Sequence, residues 1–176
     1  MNTLKPKWRY DVLVELLKDK GEITGAEIGV NSGETSEQLL LRLPNLLTLY
    51  CVDPWIDYPG GDYFSSPNRN AQLSKNKFIE RTTKFGARCI TCQMMSEQAA
   101  KLVPDKSLFF VFIDGNHQYE YAKLDIQLWL PKIKPGGLLA GHDYANKPYS
   151  IGVVKAVDEL LGKVEKGSDV TWWKWL

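Results

Sequence analysis

Val111-Phe112-Ile113-Asp114-Gly115-Asn116-His117-Gln118-Tyr119 and Pro135-Gly136-Gly137-Leu138-Leu139-Ala140-Gly141-His142-Asp143-Tyr144 share one grammar. In each, an apolar run reads as a buried strand and stops abruptly at an acid and a histidine. His117 and His142 are the only two histidines in the 176 residues, and both fall at these strand ends. In an open parallel sheet, ligands bind in the crevice outside the carboxyl ends of the strands. Two acid-plus-histidine clusters at such ends therefore point at one shared site.

Working outward, strands alternate with helices. The spacing of Trp8, Val12, Leu13, Leu16 and Leu17 predicts an amphipathic helix over 8–19, with Gly21 as its stop. Strands are predicted at 23–30, 46–52, 88–92, 108–113 and 138–141. Helices are predicted at 34–42, 68–84, 96–102, 118–130 and 149–161, the first of these ended by Pro44. Residues 55–67, with Pro59-Gly60-Gly61 and Ser65-Ser66-Pro67, read as a long turn-rich loop. The tail reads as a hairpin, 162–165 and 169–175, turning at Lys166-Gly167-Ser168. Such alternation implies an α/β, doubly wound, mostly parallel sheet with right-handed crossovers. The closing hairpin requires an antiparallel last strand, because a tight turn cannot join parallel neighbours.

Composition narrows the class. One domain spanning 1–176 is expected, with a core of useful size. Apolar residues make up 44% and charged residues 24%, as in an ordinary globular chain. A net charge of +1 gives no global field to favour nucleic acid or an anionic membrane. No apolar run approaches a bilayer span, and residues 1–10 lack the apolar core of a secretory signal. Three cysteines are too few and too odd in number for a disulfide framework. A reduced, cytoplasmic protein is expected. Cys89-Ile90-Thr91-Cys92 has C-x-x-C spacing, but it lies inside a strand with no second pair, so it reads as buried inert thiols.

The first strand ends in Ala26-Glu27-Ile28-Gly29-Val30-Asn31-Ser32-Gly33-Glu34-Thr35-Ser36. Glycine lets a ligand approach the backbone closely, and the following helix offers free N–H groups. Asp53, 26 residues after Glu27, ends the second strand, where a nucleotide-binding unit places its ribose-binding carboxylate. A nicotinamide site wants G-x-G-x-x-G. Here the second glycine would fall at Asn31, and Glu27 stands where a dehydrogenase has an apolar residue, which disfavours an NAD-dependent oxidoreductase. The structural alternative is that Glu27 and Asp53 merely cap a strand and a turn.

The pattern Glu27-x-Gly29-x-x-x-Gly33-x-Thr35 resembles the first motif of small-molecule O-methyltransferases. D-G-x-H-x-Y at Asp114–Tyr119, followed by G-G-x-x-x-x-H-D-Y at Gly136–Tyr144, resembles the methyltransferase 24 family of class I S-adenosylmethionine-dependent enzymes. That family lies near the macrolide-sugar and catechol-type O-methyltransferases, and the resemblance runs from about Thr24 to Trp175. It implies a Rossmann-like seven-stranded sheet of order 3-2-1-4-5-7-6. It implies S-adenosylmethionine as cofactor, with Glu27, Gly29, Asn31, Gly33, Thr35, Asp53, Pro54, Trp55, Ser96 and Asp114 about it. Glu27 and the glycine turn would flank the methionine part, Asp53 the ribose and Ser96 the adenine. Trp55 is equally readable as core packing.

The metal-dependent relatives place a divalent ion where this chain has Asp114, His142 and Asp143. Magnesium takes carboxylate and water oxygens, whereas a histidine ligand shifts preference toward manganese, iron or zinc. A bound metal would lower the pKa of a substrate hydroxyl. His117 occupies the offset at which catechol-type enzymes carry a basic lysine, and a histidine titrates near neutrality. Asp114, His117 and His142 are thus the expected catalytic residues. The alternatives are that His142 orients substrate without a metal, and that Asp143 caps a turn before Pro148.

The function implied is methyl transfer to a small-molecule acceptor, through a hydroxyl oxygen. The other reading is a cofactor-binding protein of the same fold without transfer. No nucleic-acid or membrane partner is expected; a homo-oligomer could complete an otherwise open acceptor side. Trp172, Trp173 and Trp175 read as packing rather than an aromatic cage. Lys77, Arg81, Lys84 and Arg88 read as a solvated face rather than a phosphate patch.

Overall fold

Phe110 and Phe112 point to one side of the central sheet, and Val111 and Ile113 to the other, so this strand is buried on both faces. A computed structural model describes residues 6–56, 70–145, 147, 148 and 150–176. The strands are β1 (Ile23–Ile28), β2 (Leu46–Val52), β3 (Cys89–Cys92), β4 (Leu108–Ile113), β5 (Ile133–Gly141), β6 (Glu165–Lys166) and β7 (Trp172–Trp175). They form one sheet of order β3-β2-β1-β4-β5-β7-β6. β1 to β5 are parallel to their neighbours, while β7 runs antiparallel to both β5 and β6. This is the Rossmann-like methyltransferase topology.

Helices cover both faces. α1 (Arg9–Leu17), α2 (Glu34–Arg42) and α3 (Ala71–Thr82) lie over the Phe110/Phe112 side, and Leu13, Leu17, Leu39, Leu40 and Phe78 fill that core. α4 (Ser96–Leu102), α5 (Tyr119–Trp129) and α6 (Ile151–Leu161) cover the other side with Ala99, Ile126, Trp129, Ala156 and Val157. Local chemistry sets several ends. Asp11 reaches back to accept the Trp8 N–H at 2.9 Å, and the Asn70 side chain accepts the Leu73 N–H at 2.9 Å.

The differences from the sequence expectations have physical causes. β5 begins five residues before the expected 138, because Ile133 pairs with Leu108 ahead of a register shift. That shift lets the strand run through Pro135-Gly136-Gly137, which read locally as a turn. α1 is shorter than 8–19, and α3 and α6 start later than 68 and 149. The expected loop lies outside the described residues except for Trp55 and Ile56. The basic stripe is not one solvated face. Arg81 donates to Ser32 O at 3.2 Å, Lys84 meets Glu37 at 2.5 Å, and Arg88 donates to Leu46 O at 3.0 Å and Leu43 O at 2.9 Å. Lys77 alone of the four is without a partner of this kind among those contacts, and it is exposed. Cys92 is buried, but Cys89 is half-buried, and its sulfur faces Cys51 at 3.6 Å rather than its C-x-x-C mate. No helix among the described residues is long and apolar enough to cross a membrane.

The last hairpin turns later than expected. Thr171 N–H donates to Ser168 O at 3.2 Å, so the central residues are Asp169 and Val170, with φ of 53° and 46°. Two consecutive left-handed residues make a turn that favours Asn-Gly. A β-branched valine there is strained by about 1–3 kcal/mol. Val170→Gly is accordingly expected to raise stability by about 1 kcal/mol, after the entropic cost of glycine. A urea midpoint that falls would show the strain to be absent.

Candidate active site

Each central strand extends its ladder by one bond to deliver a polar residue at the same rim. Asp53 N–H donates to Cys92 O at 3.2 Å, Asp114 N–H to Ile28 O at 2.7 Å, and His142 N–H to Ile113 O at 3.0 Å. The strand order reverses between β1 and β4, and there the crevice opens into a cavity of about 620 Å³. That volume suits a small-molecule or cofactor site.

Asp53 fastens one wall. Its Oδ2 accepts the Asn31 N–H and its Oδ1 the Trp55 N–H, both at 2.8 Å. A carboxylate has about four lone-pair positions, so each oxygen keeps capacity for a further donor. Asn31 and Trp55 hold left-handed backbones, φ 52° and 45°. Trp55 Nε1 donates to Asn31 O at 2.7 Å, which locks the two turns together. Gly29 (φ 88°) is required by contact: a Cβ there would lie 2.2 Å from the Asp114 carbonyl oxygen. Glu27 is 1% exposed and accepts a short hydrogen bond from Ser36 Oγ. Burial pushes its carboxyl up to about 8, with the charge of Asp114 adding to the rise and Ser36 and Arg9 opposing it.

Of the residues expected about a cofactor, Glu27, Gly29, Asn31, Thr35, Asp53, Pro54, Ser96 and Asp114 line the cavity. Gly33 and Trp55 do not. Gly33 caps α2 with its backbone against Phe78, and the Trp55 ring packs on Phe78 with centroids 5.0 Å apart. Both support the wall from behind.

The two acid-plus-histidine pairs meet in this cavity. Asp143 Oδ2 lies 2.9 Å from both His117 Nε2 and His142 Nδ1. His142 Nδ1 is also 3.6 Å from Asp114 Oδ1. Burial would raise the Asp143 carboxyl, but its hydrogen bonds to His117 and His142 hold it well below the usual range. Burial would lower the His142 pKa, but Asp143 and Asp114 outweigh it and the net shift is upward. The Asp114 carboxyl is raised by burial against the charges of His142 and Arg9. Ligand atoms of Asp114, His117 and Asp143 fall within 4.8 Å of one another. The expected set was Asp114, His142 and Asp143; the geometry adds His117 to the two carboxylates, while His142 Nδ1 stays beside both and its Nε2 turns toward Asp169 at 3.5 Å. Two carboxylates and one imidazole suit a divalent ion such as manganese.

Three residues here escaped sequence reasoning. Arg9, from the start of α1, lies 3.0 Å from Thr35 Oγ1, 3.2 Å from Asp114 Oδ2 and 3.5 Å from Asp169 Oδ2. Asp169, from the strained turn, also accepts the Arg9 backbone N–H at 3.0 Å. Asp125 on α5 is buried and accepts Ser96 Oγ–H at 2.5 Å. Among the described residues, seven carboxylates line the cavity (Glu27, Glu34, Asp53, Glu97, Asp114, Asp125 and Asp143) against one guanidinium, Arg9, and two histidines. Such a lining favours a cationic ligand and opposes a diphosphate.

Comparison with known proteins agrees with this topology. The sequence model of a family described as a methyltransferase domain, methyltransferase 24, matches residues 26–144. The O-methyltransferase NovP superposes with a TM-score of 0.71 at 15% identity, covering 95% of this chain and 78% of that one. An O-methyltransferase from Bacillus cereus, solved in complex with SAH, gives 0.63 at 15% identity, with 94% and 79% coverage. A mimivirus protein, R132 of Acanthamoeba polyphaga mimivirus, is 24% identical over 85% of this chain, which spans 64% of its length. The chain spans 12% of a second relative, y4gI of Sinorhizobium fredii, at 22% identity over 63% of its own residues.

Proposed function

The chain belongs to the methyltransferase-domain family methyltransferase 24, with the class I fold, and on that premise we propose that it transfers a methyl group from S-adenosylmethionine to a hydroxyl oxygen of a small-molecule acceptor. The observation that carries the reading is the acidic cavity at the β1/β4 reversal. A sulfonium and an ammonium suit that lining, whereas the diphosphate of NAD would face a wall of mostly acidic side chains. The oxygen acceptor is supported by the O-methyltransferases among the structural relatives.

The residues divide the work along the cavity. Asp53 keeps lone pairs for the two ribose hydroxyls. Glu27 and Thr35 take the methionine end, where Arg9 is the one guanidinium among the described lining residues to meet its carboxylate. The reactive methyl comes with the cofactor; the protein supplies proximity and in-line orientation. The acceptor hydroxyl belongs at the Asp114, His117, His142, Asp143 end. In the metal-free site Asp143 Oδ2, 2.9 Å from His117 Nε2, accepts from that nitrogen, orients the ring and favours its cationic form once the ring has taken the acceptor's proton. His142, its pKa raised by Asp143 and Asp114 against its burial, bridges the two carboxylates. Asp114, His117 and Asp143 would hold a divalent ion, which when bound supplies Lewis acidity to lower the hydroxyl pKa.

Thermal shift tests the cofactor. S-adenosylhomocysteine at about a hundredfold its Kd should stabilise the protein by about 2.7 kcal/mol, and NAD should not. Stabilisation by NAD alone would sink the assignment. Titration of Mn²⁺ into the S-adenosylhomocysteine complex tests the metal. Binding should vanish in Asp143→Ala, and absence of binding to the wild type would leave His117 acting without metal. Radiolabelled S-adenosylmethionine offered with a panel of hydroxyl compounds separates enzyme from binder: tight cofactor binding with no transfer to any member would favour a binding protein.

A further inference from the structure

We propose that Cys51 and Cys89 form a thiol modification site, and that their closure to a disulfide slides β3 along β2 and withdraws the backbone support of Asp53. Only the ligand-binding readout below rests on the cofactor reading.

The two cysteines stand on neighbouring parallel strands. Cys51 pairs in register with Thr91, and Cys89 lies two residues before Thr91, so both sulfurs share one face of the sheet. They are 3.6 Å apart. Cys92 falls on the other face, buried in the opposite core. The pair therefore crosses strands and does not use the C-x-x-C spacing. The two thiols differ in character. Cys51 is fully buried, and burial pushes its thiol up. Cys89 is half-buried on the edge strand, and its hydrogen bond from Cys51, helped by Thr82, holds it below the ordinary thiol value against burial. Cys89 is thus the sulfur that meets an oxidant, and Cys51 the one that resolves it.

With a hydroperoxide as oxidant the chemistry balances. The Cys89 thiolate attacks a peroxide oxygen: an S–O bond forms, the O–O bond breaks, and the leaving hydroxide takes up the proton that the thiol gave up. The Cys51 sulfur then attacks the sulfenic acid. An S–S bond forms, the S–O bond breaks, and the departing hydroxide carries off the Cys51 proton as a second water. The two thiols lose two electrons, and the peroxide gains them.

Closure has a mechanical consequence. Two residues of parallel strand and one strand spacing put the Cα atoms about 8 Å apart, whereas a disulfide spans no more than about 7 Å. The backbone must move, and β3 is the strand placed to do so. Among the described residues it pairs with β2 alone, and the kink at Gly86 just before it sits in open space. The last residue of β3, Cys92, gives its carbonyl to the Asp53 N–H at 3.2 Å. Sliding β3 breaks that bond beneath the residue that fastens Asn31 and Trp55. Cys51 Sγ also lies 3.5 Å from Ser36 Oγ, which bonds Glu27, so the cavity feels the change at a second point. A disulfide closed across a stretched span is readily reduced, as a reversible switch requires.

The test exposes the reduced full chain to hydrogen peroxide, then counts thiols by maleimide labelling of the unfolded protein. The wild type should fall from three labelled cysteines to one, with dithiothreitol restoring all three. Cys92→Ser should still close the bond, and Cys89→Ser should form none. In the oxidised, folded wild type the Asp53 amide should exchange its hydrogen at least about tenfold faster, and Kd for S-adenosylhomocysteine should rise at least about tenfold. Three labelled cysteines after oxidation, or a disulfide that survives Cys89→Ser, overturns the pairing. A Cys51–Cys89 disulfide that leaves Asp53 exchange unchanged overturns the coupling. A reduced wild type that does not bind S-adenosylhomocysteine overturns the cofactor reading instead, and the thiol count and Asp53 exchange still decide this proposal.

Discussion

Asp53→Ala is expected to weaken S-adenosylhomocysteine binding, with Kd rising by at least about 100-fold in calorimetry. On the proposed reading the variant loses the acceptor for two ribose hydroxyls, each hydrogen bond to a carboxylate being worth about 1.5–3 kcal/mol. It also strands the Asn31 and Trp55 N–H groups that Asp53 accepts at 2.8 Å. Unfolding free energy should accordingly fall by about 2–4 kcal/mol. The two losses can be separated. Asp53→Asn keeps one carbonyl acceptor and most of the stability, yet should still bind at least tenfold more weakly. An alanine variant with native circular dichroism and unchanged Kd would remove Asp53 from the cofactor site.

Glu27→Gln should make the protein more stable at high pH. In the folded chain the Glu27 carboxyl is pushed up to about 8 by burial, whereas a free glutamate ionises near 4.5. The folded form therefore holds a proton that the unfolded form has released. The sign follows: the contribution of Glu27 to stability is full below about pH 4.5, declines as pH rises, and is lost above about pH 8. Glutamine has nothing to ionise. The two proteins should match in urea denaturation at pH 4, and the variant should lead by a few kcal/mol at pH 9. Binding adds a second readout. If the cofactor's ammonium sits beside Glu27, wild-type binding at pH 7 releases about one proton, visible as a buffer-dependent enthalpy, and the variant releases none. Parallel stability curves for the two proteins would mean that Glu27 is ionised throughout.

The strand ends were legible because a strand that stops at an acid is a local event. Asp53, Asp114, His142 and Asp143 could be placed at one rim from short windows of sequence, and the sheet order came from the family resemblance. Asp125 left a signal that was passed over: it sits four residues after Tyr121 and beside Leu124, on the face expected to be apolar. Arg9 and Asp169 left none, because their meeting joins the two ends of the sheet's wrapping and each alone looks like a surface charge. Gly33 and Trp55 were drawn into the cofactor set by nearness in sequence, while Phe78, from α3, pulls both to the far side of the wall. That His117 and His142 both meet Asp143 Oδ2 at 2.9 Å was not legible, because Asp143 holds a left-handed backbone, φ 59°, which no residue pattern announces.

The contact between Arg9 and Asp169 spans 160 residues, and it closes the cavity with the first helix and the final hairpin. Closing so long a loop must be offset by contacts that form only near the end of folding. The cavity is therefore expected to be completed after the folding transition state, which chevron kinetics with and without S-adenosylhomocysteine would check. A ligand in this site will leave the folding rate almost untouched and act on the unfolding rate alone. In a cell it would work as a brake on the loss of a finished molecule, lengthening its lifetime without helping a new one to form.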